Sequence, residues 1–302
     1  MTDRLLLDVS SLMYRAHFAM RDVAMSPQGR PMGALHGYLD MVTRLLVTRH
    51  PGEVVHVYDH DWRPTARTAI YPGYKADRPA EPPELSEQFA ELRPLLDLTG
   101  MPQAQTPAWE AEDAIGALVL AAGDADRIDM VSGDRDLLQL VRDAPPPVRL
   151  LFTVRGVSEL HEFDEAAVLA KYGVPAARYA EFAILRGDPS DGLPGVVGVG
   201  EKTARTLIVA YGSLEALVAD AVREGRPTGE PLARSARLRE KIAEAAGYLA
   251  DMQRLVPVNA VAPLAVWSGP RDDDALRAFG ERLGIRGPIQ RLTAALDAAS
   301  EG

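Results

Sequence analysis

The 302-residue chain has no cysteine, which excludes disulfides, thiolate metal sites, zinc ribbons and a cysteine nucleophile. No apolar run approaches the ~18–20 residues that a membrane span needs. The start, MTDRLLLDVSS, lacks a basic segment followed by a long apolar stretch, so a cytoplasmic chain with no membrane partner is expected. There is no HExxH. The six histidines (17, 36, 50, 56, 60 and 161) are too scattered to suggest a zinc site. Positive charge is also short, with a formal net charge of −10. That balance argues at first sight against a nucleic-acid partner, because phosphates attract Lys and Arg.

Net charge, however, averages over the chain. Residues 63–78 carry Arg63, Arg67, Lys75 and Arg78 against Asp77 alone, and residues 195–241 carry eight basic residues against six acids. The acid excess therefore lies elsewhere. A 47% hydrophobic content suits a sizeable core, and the length suits a large α/β domain, alone or with a smaller helical one.

The first half alternates strand-like and helix-like segments. Arg4–Val9, Glu53–Tyr58, Ile128–Ser132 and Val148–Phe152 are short apolar, β-branched runs typical of buried parallel strands. Between them, Gly33–Arg49, Glu84–Thr99 and Glu110–Ala122 read as helices, the second closed by Gly100 and Pro102. This alternation predicts an α/β fold with a doubly wound, mostly parallel sheet. Beyond about residue 160 the strand signal fades. Residues 164–186, 201–222 and 233–255 read as helices, 223–232 as a mobile loop, and 256–302 carry no readable motif. The expected division is 1–165 and 166–302.

The acids fall at telling places. Asp8 ends the first strand, Asp59 the second, and Asp134 and Asp136 follow the third. Glu110, Glu112 and Asp113 open a helix after the short extended piece Pro102–Pro107. Open parallel sheets bind ligands at the carboxyl ends of their strands, so these carboxylates are expected together on one edge. A single Asp after a strand is explained as a turn former or helix cap. Acids after three strands, plus a triple-acid helix start, are better explained by a hard divalent cation such as Mg²⁺ or Mn²⁺.

Within Arg186–Ala204, glycines 195, 198 and 200 alternate with small apolar residues and run straight into a helix. Glycine lets a backbone approach a phosphate closely, and the helix N-terminus offers free N–H donors. The turn carbonyls could also hold a monovalent cation such as K⁺. Lys202, Thr203 and Arg205 lie in the first turns of that helix. A P-loop is the competing reading, but Glu201 separates Gly200 from Lys202 and no buried strand precedes the loop.

Four motifs, in order, resemble the 5′-nuclease (flap endonuclease) family, above all the 5′-3′ exonuclease domain of bacterial DNA polymerase I. They are LLLDVSSLMYR (5–15), YPGYKADRP (71–79), WEAEDAIGAL with VSGDRDLLQL (109–118 and 131–140), and GDPSDGLPGVVGVGEKTA (187–204). The resemblance covers about residues 4–255. It implies a PIN-like catalytic domain with a helical arch near 62–90, and a helix–three-turn–helix (helix-hairpin-helix) element at 186–210 in a helical domain. Residues 256–302 are too few for a polymerase, so a stand-alone, monomeric nuclease is expected.

The resemblance further implies one site for two or three divalent ions among Asp8, Asp59, Glu110, Glu112, Asp113, Asp134, Asp136, Asp188 and Asp191, the last two coming from the resemblance alone. It assigns Lys75 and Arg78, three apart on an expected helix, to the scissile phosphate, with Arg67 as a further phosphate contact. Tyr74 could stack on the DNA strand, and Gly195, Gly198, Gly200, Lys202, Thr203 and Arg205 would grip the duplex. Two positions depart from the family's pattern: Glu112 replaces a usual Asp, and Gly192 a usual Asn. The implied activity is cleavage at or near the 5′ end or 5′ flap of branched or nicked DNA, in primer removal and repair. Two alternatives stay open. A PIN-like ribonuclease would share the acidic sheet edge but lack the glycine hairpin. A catalytically weak branched-DNA-binding protein would have a degraded acidic site.

Overall fold

A computed structural model describes residues 3–20, 23–61 and 63–300. Its centre is a seven-stranded sheet built from β1 (Asp3–Asp8), β2 (Glu53–Tyr58), β3 (Gln103–Gln105), β4 (Arg127–Ser132), β5 (Val148–Thr153), β6 (Leu160–Phe163) and β7 (Ala265–Trp267). The strand order is β6-β5-β4-β1-β2-β3-β7. The five central strands are parallel, and the edge strands β6 and β7 are antiparallel to their neighbours.

Leu5, Leu6 and Leu7 are all essentially unexposed because both faces of β1 are covered. Leu5 and Leu7 face one core with helices α1 (Val9–Met20), α2 (Gly33–Arg49) and, past the short α3 (Thr65–Ile70), α4 (Pro83–Asp97). Leu6 points to the other core, against α5 (Ala111–Leu120). That second core continues without a break into the helices of the C-terminal half. Among the described residues, no helix is long and apolar enough to cross a membrane.

The long helices expected after residue 160 are each broken. Residues 164–186 form α6 (Glu165–Tyr172) and α7 (Tyr179–Arg186), interrupted at Gly173, which is left-handed at φ 71°, and by Pro175. Residues 201–222 form α8 (Glu201–Tyr211) and α9 (Leu214–Val222), separated by left-handed Gly212 and by Ser213, whose side chain caps α9. α10 (Glu230–Arg234), α11 (Ala236–Glu244) and α12 (Ala246–Leu255) follow.

The segment 223–232, expected as a mobile loop, is tied down. The Asp220 carboxylate accepts hydrogen bonds from the backbone N–H groups of Thr228 and Gly229 and from the hydroxyls of Thr228 and Tyr211. The residues expected as a separate helical part, 166–302, do not all leave the sheet. β7 extends the sheet beside β3, and beyond α13 (Asp273–Leu283), α14 (Arg286–Ser300) packs on α2. The chain returns to the sheet along residues 256–262. There Val258 N–H donates to Gln139, and Asn259 N–H donates to Asp113.

Candidate active site

The carboxyl edge of the sheet is where the acids meet. A cavity of about 340 Å³ is lined by Asp8, Asp59, Glu110, Glu112, Asp134, Asp136, Asp188 and Asp191, eight of the nine expected acids, together with Lys75 and Arg78. The strands set this geometry. Asp8 is the last residue of β1, where Ser132 Oγ from the end of β4 donates to it at 2.6 Å and Ser11 N–H at 3.0 Å. Asp59 follows β2 and accepts from Ala111 N–H at 2.8 Å, which ties it to the start of α5. Asp134 accepts from the backbone of Asp136 at 2.9 Å in the turn after β4. Asp188 and Asp191 come from a tight hairpin before α8, closed by Asp188 N–H to Leu193 O and Leu193 N–H to Asp188 O. Ser132, which orients both Asp8 and Asp134, had no distinguishing mark in the sequence.

Electrostatics in the cavity are divided. Burial and the neighbouring Asp59 push the Asp8 carboxyl up to about 7. Burial likewise raises Asp59 and Asp136, with Glu110 and Asp134 respectively adding repulsion. Asp191 rises to about 6 by burial, although Lys75 opposes the shift. Glu110 goes the other way: burial would raise it, but Lys75 and Arg67 hold it down at about 2. Oxygens of Glu112, Asp134 and Asp136 all lie within 4.8 Å of one another, a spacing that could hold a metal ion. Crowded, desolvated carboxylates without enough positive charge are a donor set that fits a hard divalent cation.

Three expected site residues are turned to other partners. Asp113 does not line the cavity. It is fully buried and is committed to Arg67 Nη2 at 2.9 and 3.0 Å, to Asn259 N–H at 2.7 Å, and to Glu110 N–H at 3.1 Å in a capping box. Arg67, expected at a phosphate, is 1% exposed and bonded to Glu110, Glu112 and Asp113, so as placed it neutralises acids from behind the cavity. Tyr74 is buried, with its hydroxyl donating to Glu110 at 2.7 Å, and offers no face to a strand.

Lys75 and Arg78 do not share a helix, since 72–77 is a run of turns and Lys75 is left-handed at φ 51°. They still reach one cavity. Lys75 is buried against Glu110 and lies 3.6 Å from Asp191, while Arg78 is exposed at the rim. Burial alone would lower the Lys75 pKa, but the carboxylates of Glu110, Asp191 and Glu112 raise it, so the ammonium stays charged.

Gly195 and Gly198 are left-handed at φ 64° and 78°, and Gly200 caps α8. Gly195, expected at the duplex, is buried against Gly187 and its N–H donates to Tyr248 at 3.1 Å, so as placed it does not face a ligand. Gly198, Gly200 and Lys202 are exposed, Thr203 is half-buried, and Arg205 is half-buried with its stem folded over Gly173. Beside Ser132, one more residue was missed. The Lys241 ammonium, from α11, lies 2.3 Å from where a Cβ on Gly198 would be, which adds a cation to the hairpin face. The only sequence signal for it was the basic balance of residues 195–241.

Comparison with known proteins agrees with this architecture. The family described as 5′-3′ exonuclease, N-terminal resolvase-like domain, matches residues 3–173, and that described as 5′-3′ exonuclease, C-terminal SAM fold, matches 174–269. A 5′-3′ exonuclease of Streptomyces coelicolor is 42% identical over 97% of this chain and 100% of its own. DNA polymerase I of Mycobacterium bovis is 38% identical over 98% of this chain, which spans 32% of that longer protein. In three dimensions the chain is similar to the bacteriophage T5 flap endonuclease, solved as a pseudo-enzyme–product complex with DNA and metal ions. The TM-score is 0.66 at 17% identity, covering 99% of this chain and 100% of that one. With both of its domain families matched in order and a full-length relative at 42% identity, the chain belongs to the 5′-3′ exonuclease family.

Proposed function

We propose that this nuclease cleaves DNA phosphodiesters at or near a free 5′ end or 5′ flap of nicked or branched duplex, with a role in primer removal and repair. The observation that carries the reading is the single cavity where eight carboxylates from both halves of the chain meet Lys75 and Arg78. Asp8, Asp59, Glu112, Asp134, Asp136, Asp188 and Asp191 would hold two or three Mg²⁺ or Mn²⁺ ions. Such ions supply, when bound, the charge that offsets the carboxylates and the Lewis acidity that phosphodiester hydrolysis needs.

The chain's own residues supply the rest. Arg78 at the rim and Lys75 inside offset negative charge on the phosphate oxygens, and they do so most where that charge builds up. Ser132 and Ser11 fix Asp8, and Ala111 N–H fixes Asp59, so these carboxylates are oriented before substrate arrives. The exposed Gly198 and Gly200 of the hairpin, with Lys202, Thr203 and Arg205, offer backbone N–H donors and cations to a duplex phosphate. The hairpin's turn carbonyls offer K⁺ hard oxygen ligands.

The test is product mapping on a 5′-labelled flap, a nicked duplex and a plain duplex, with Mg²⁺, Mn²⁺ or EDTA. Cleavage at the branch by the wild type and none by Asp136→Asn, which removes charge but little volume, is expected. Equal cleavage of the flap, the nicked duplex and the plain duplex would overturn the specificity for nicked or branched DNA.

A further inference from the structure

The base of the arch rests on the acidic hairpin of the C-terminal half, and the contact is unusually close. Lys75 N–H donates to Asp191 O at 2.9 Å. Next along the hairpin, Gly192 sits at φ 72°, and a Cβ built on it would lie 2.6 Å from the carbonyl oxygen of Gly73. The approach therefore depends on there being no side chain at residue 192. Lys75 itself is held left-handed at φ 51°, a conformation a lysine adopts only when its surroundings impose it. A second tie lies alongside: Tyr71 meets Tyr248 edge-on at 6.2 Å, and Tyr248 accepts from Gly195 N–H.

We propose that Gly192 is a positioning residue for Lys75. By letting the hairpin close onto Gly73, it allows Asp191 O to hold the Lys75 backbone left-handed, and that backbone aims the ammonium into the carboxylate cavity. With a side chain at 192 the hairpin backs away, the bond to Asp191 O opens, Lys75 relaxes to negative φ, and its ammonium swings out. Because the same hairpin leads directly into Gly195–Gly200, the segment that grips duplex also sets the lysine. This inference rests on the catalytic role proposed for Lys75.

The experiment compares Gly192→Ala, Gly192→Asn, Lys75→Ala and the Gly192→Ala/Lys75→Ala double variant, each checked for folding. Gly212→Ala is the control, since Gly212 has the same left-handed φ of 73° but nothing within 4 Å of a Cβ. Single-turnover cleavage of a 5′-labelled flap duplex with Mn²⁺ should slow at least about tenfold in both Gly192 variants, with duplex affinity unchanged within about twofold. Asn tolerates the left-handed region, so its variant carries the test if the alanine one fails to fold. In the Lys75→Ala background the Gly192 change should add nothing beyond about twofold. Gly212→Ala should cleave normally.

A readout independent of cleavage is acetylation of Lys75 by acetic anhydride in metal-free protein, followed by mass spectrometry. It should be at least about tenfold faster in the Gly192 variants, because the ammonium is now accessible. Wild-type cleavage by both Gly192 variants overturns the inference, as does slowing that multiplies with that of Lys75→Ala. Wild-type cleavage by Lys75→Ala instead removes the catalytic role of the lysine, and the inference falls with it.

Discussion

Arg67→Met removes the guanidinium while keeping much of its stem, and its cost can be worked from the contacts. Arg67 is 1% exposed and faces Asp113 at 2.9 and 3.0 Å, Glu110 at 2.7 Å and Glu112. Burial would lower its pKa, but Glu112, Glu110 and Asp113 raise it, so it is charged in the folded protein. Removing one partner of a buried pair leaves an uncompensated charge, at about 3–5 kcal/mol. Unfolding entropy near 2.1 cal/mol/K per residue gives about 0.6 kcal/mol/K for a chain this long, so the melting temperature should fall by about 5–8 °C. The assay is thermal melting in EDTA and in Mn²⁺. Part of the loss should return with Mn²⁺, because Glu110 and Glu112, freed from Arg67, line the cavity where a cation can replace the missing charge. A fall below about 1 °C in EDTA would refute Arg67 as the counter-charge of the acids and restore it as a candidate phosphate contact.

Arg78→Ala should slow single-turnover cleavage about tenfold or more while leaving flap affinity nearly unchanged; an effect on affinity alone would make Arg78 a simple phosphate anchor. Gly198→Val places a β-branched residue at φ 78° beside Lys241, so duplex affinity should drop and its salt dependence flatten, measured by anisotropy across salt concentrations. Unchanged affinity and slope would take the hairpin off the DNA surface. Asp220 supplies a pH test. Burial opposes its ionisation, but the N–H groups of Thr228 and Gly229 outweigh this and hold its pKa below the ordinary carboxylate range. Below that range the unfolded chain binds the extra proton, so the stabilisation is complete above about pH 4 and is lost as pH falls. Asp220→Asn should unfold more easily in urea at pH 7 and show a weaker acid dependence below pH 4; parallel curves for the two proteins would refute the assignment.

The acidic edge was legible because its placement follows from chain direction. Parallel strands must end on one side, so Asp8, Asp59 and Asp134 had to converge once their strands were recognised. The placement of Asp113 and Arg67 was not legible, for the opposite reason. A carboxylate facing a metal and one facing a buried guanidinium look the same in sequence, and only burial separates them. Residues 256–302 were opaque because β7 is three residues long, lies at an edge, and pairs with a strand some 160 residues earlier, so no local periodicity announces it. The helix breaks at Gly173 and Gly212 were visible as glycines. Their left-handed geometry depends on how the following helix packs, which spacing alone does not encode.

The charge balance also resolves at the level of individual side chains. Of the nine acids singled out, Glu110, Glu112 and Asp113 already share Arg67 and Lys75. Asp188 has Arg135 at 3.8 Å, and Asp191 has Lys75 at 3.6 Å. Asp8, Asp59, Asp134 and Asp136 line the cavity with no Lys or Arg within ion-pair distance among the described residues. The five paired acids share only three cations, Arg67, Lys75 and Arg135, so the nine carboxylates keep about six negative charges, the charge that three divalent ions carry. A duplex would then meet a cavity brought near neutrality, with Arg78 at its rim and Lys202 and Lys241 on the hairpin face. Over a Debye length of about 8 Å, those local charges govern phosphate binding, and the remaining acids of a −10 chain do not.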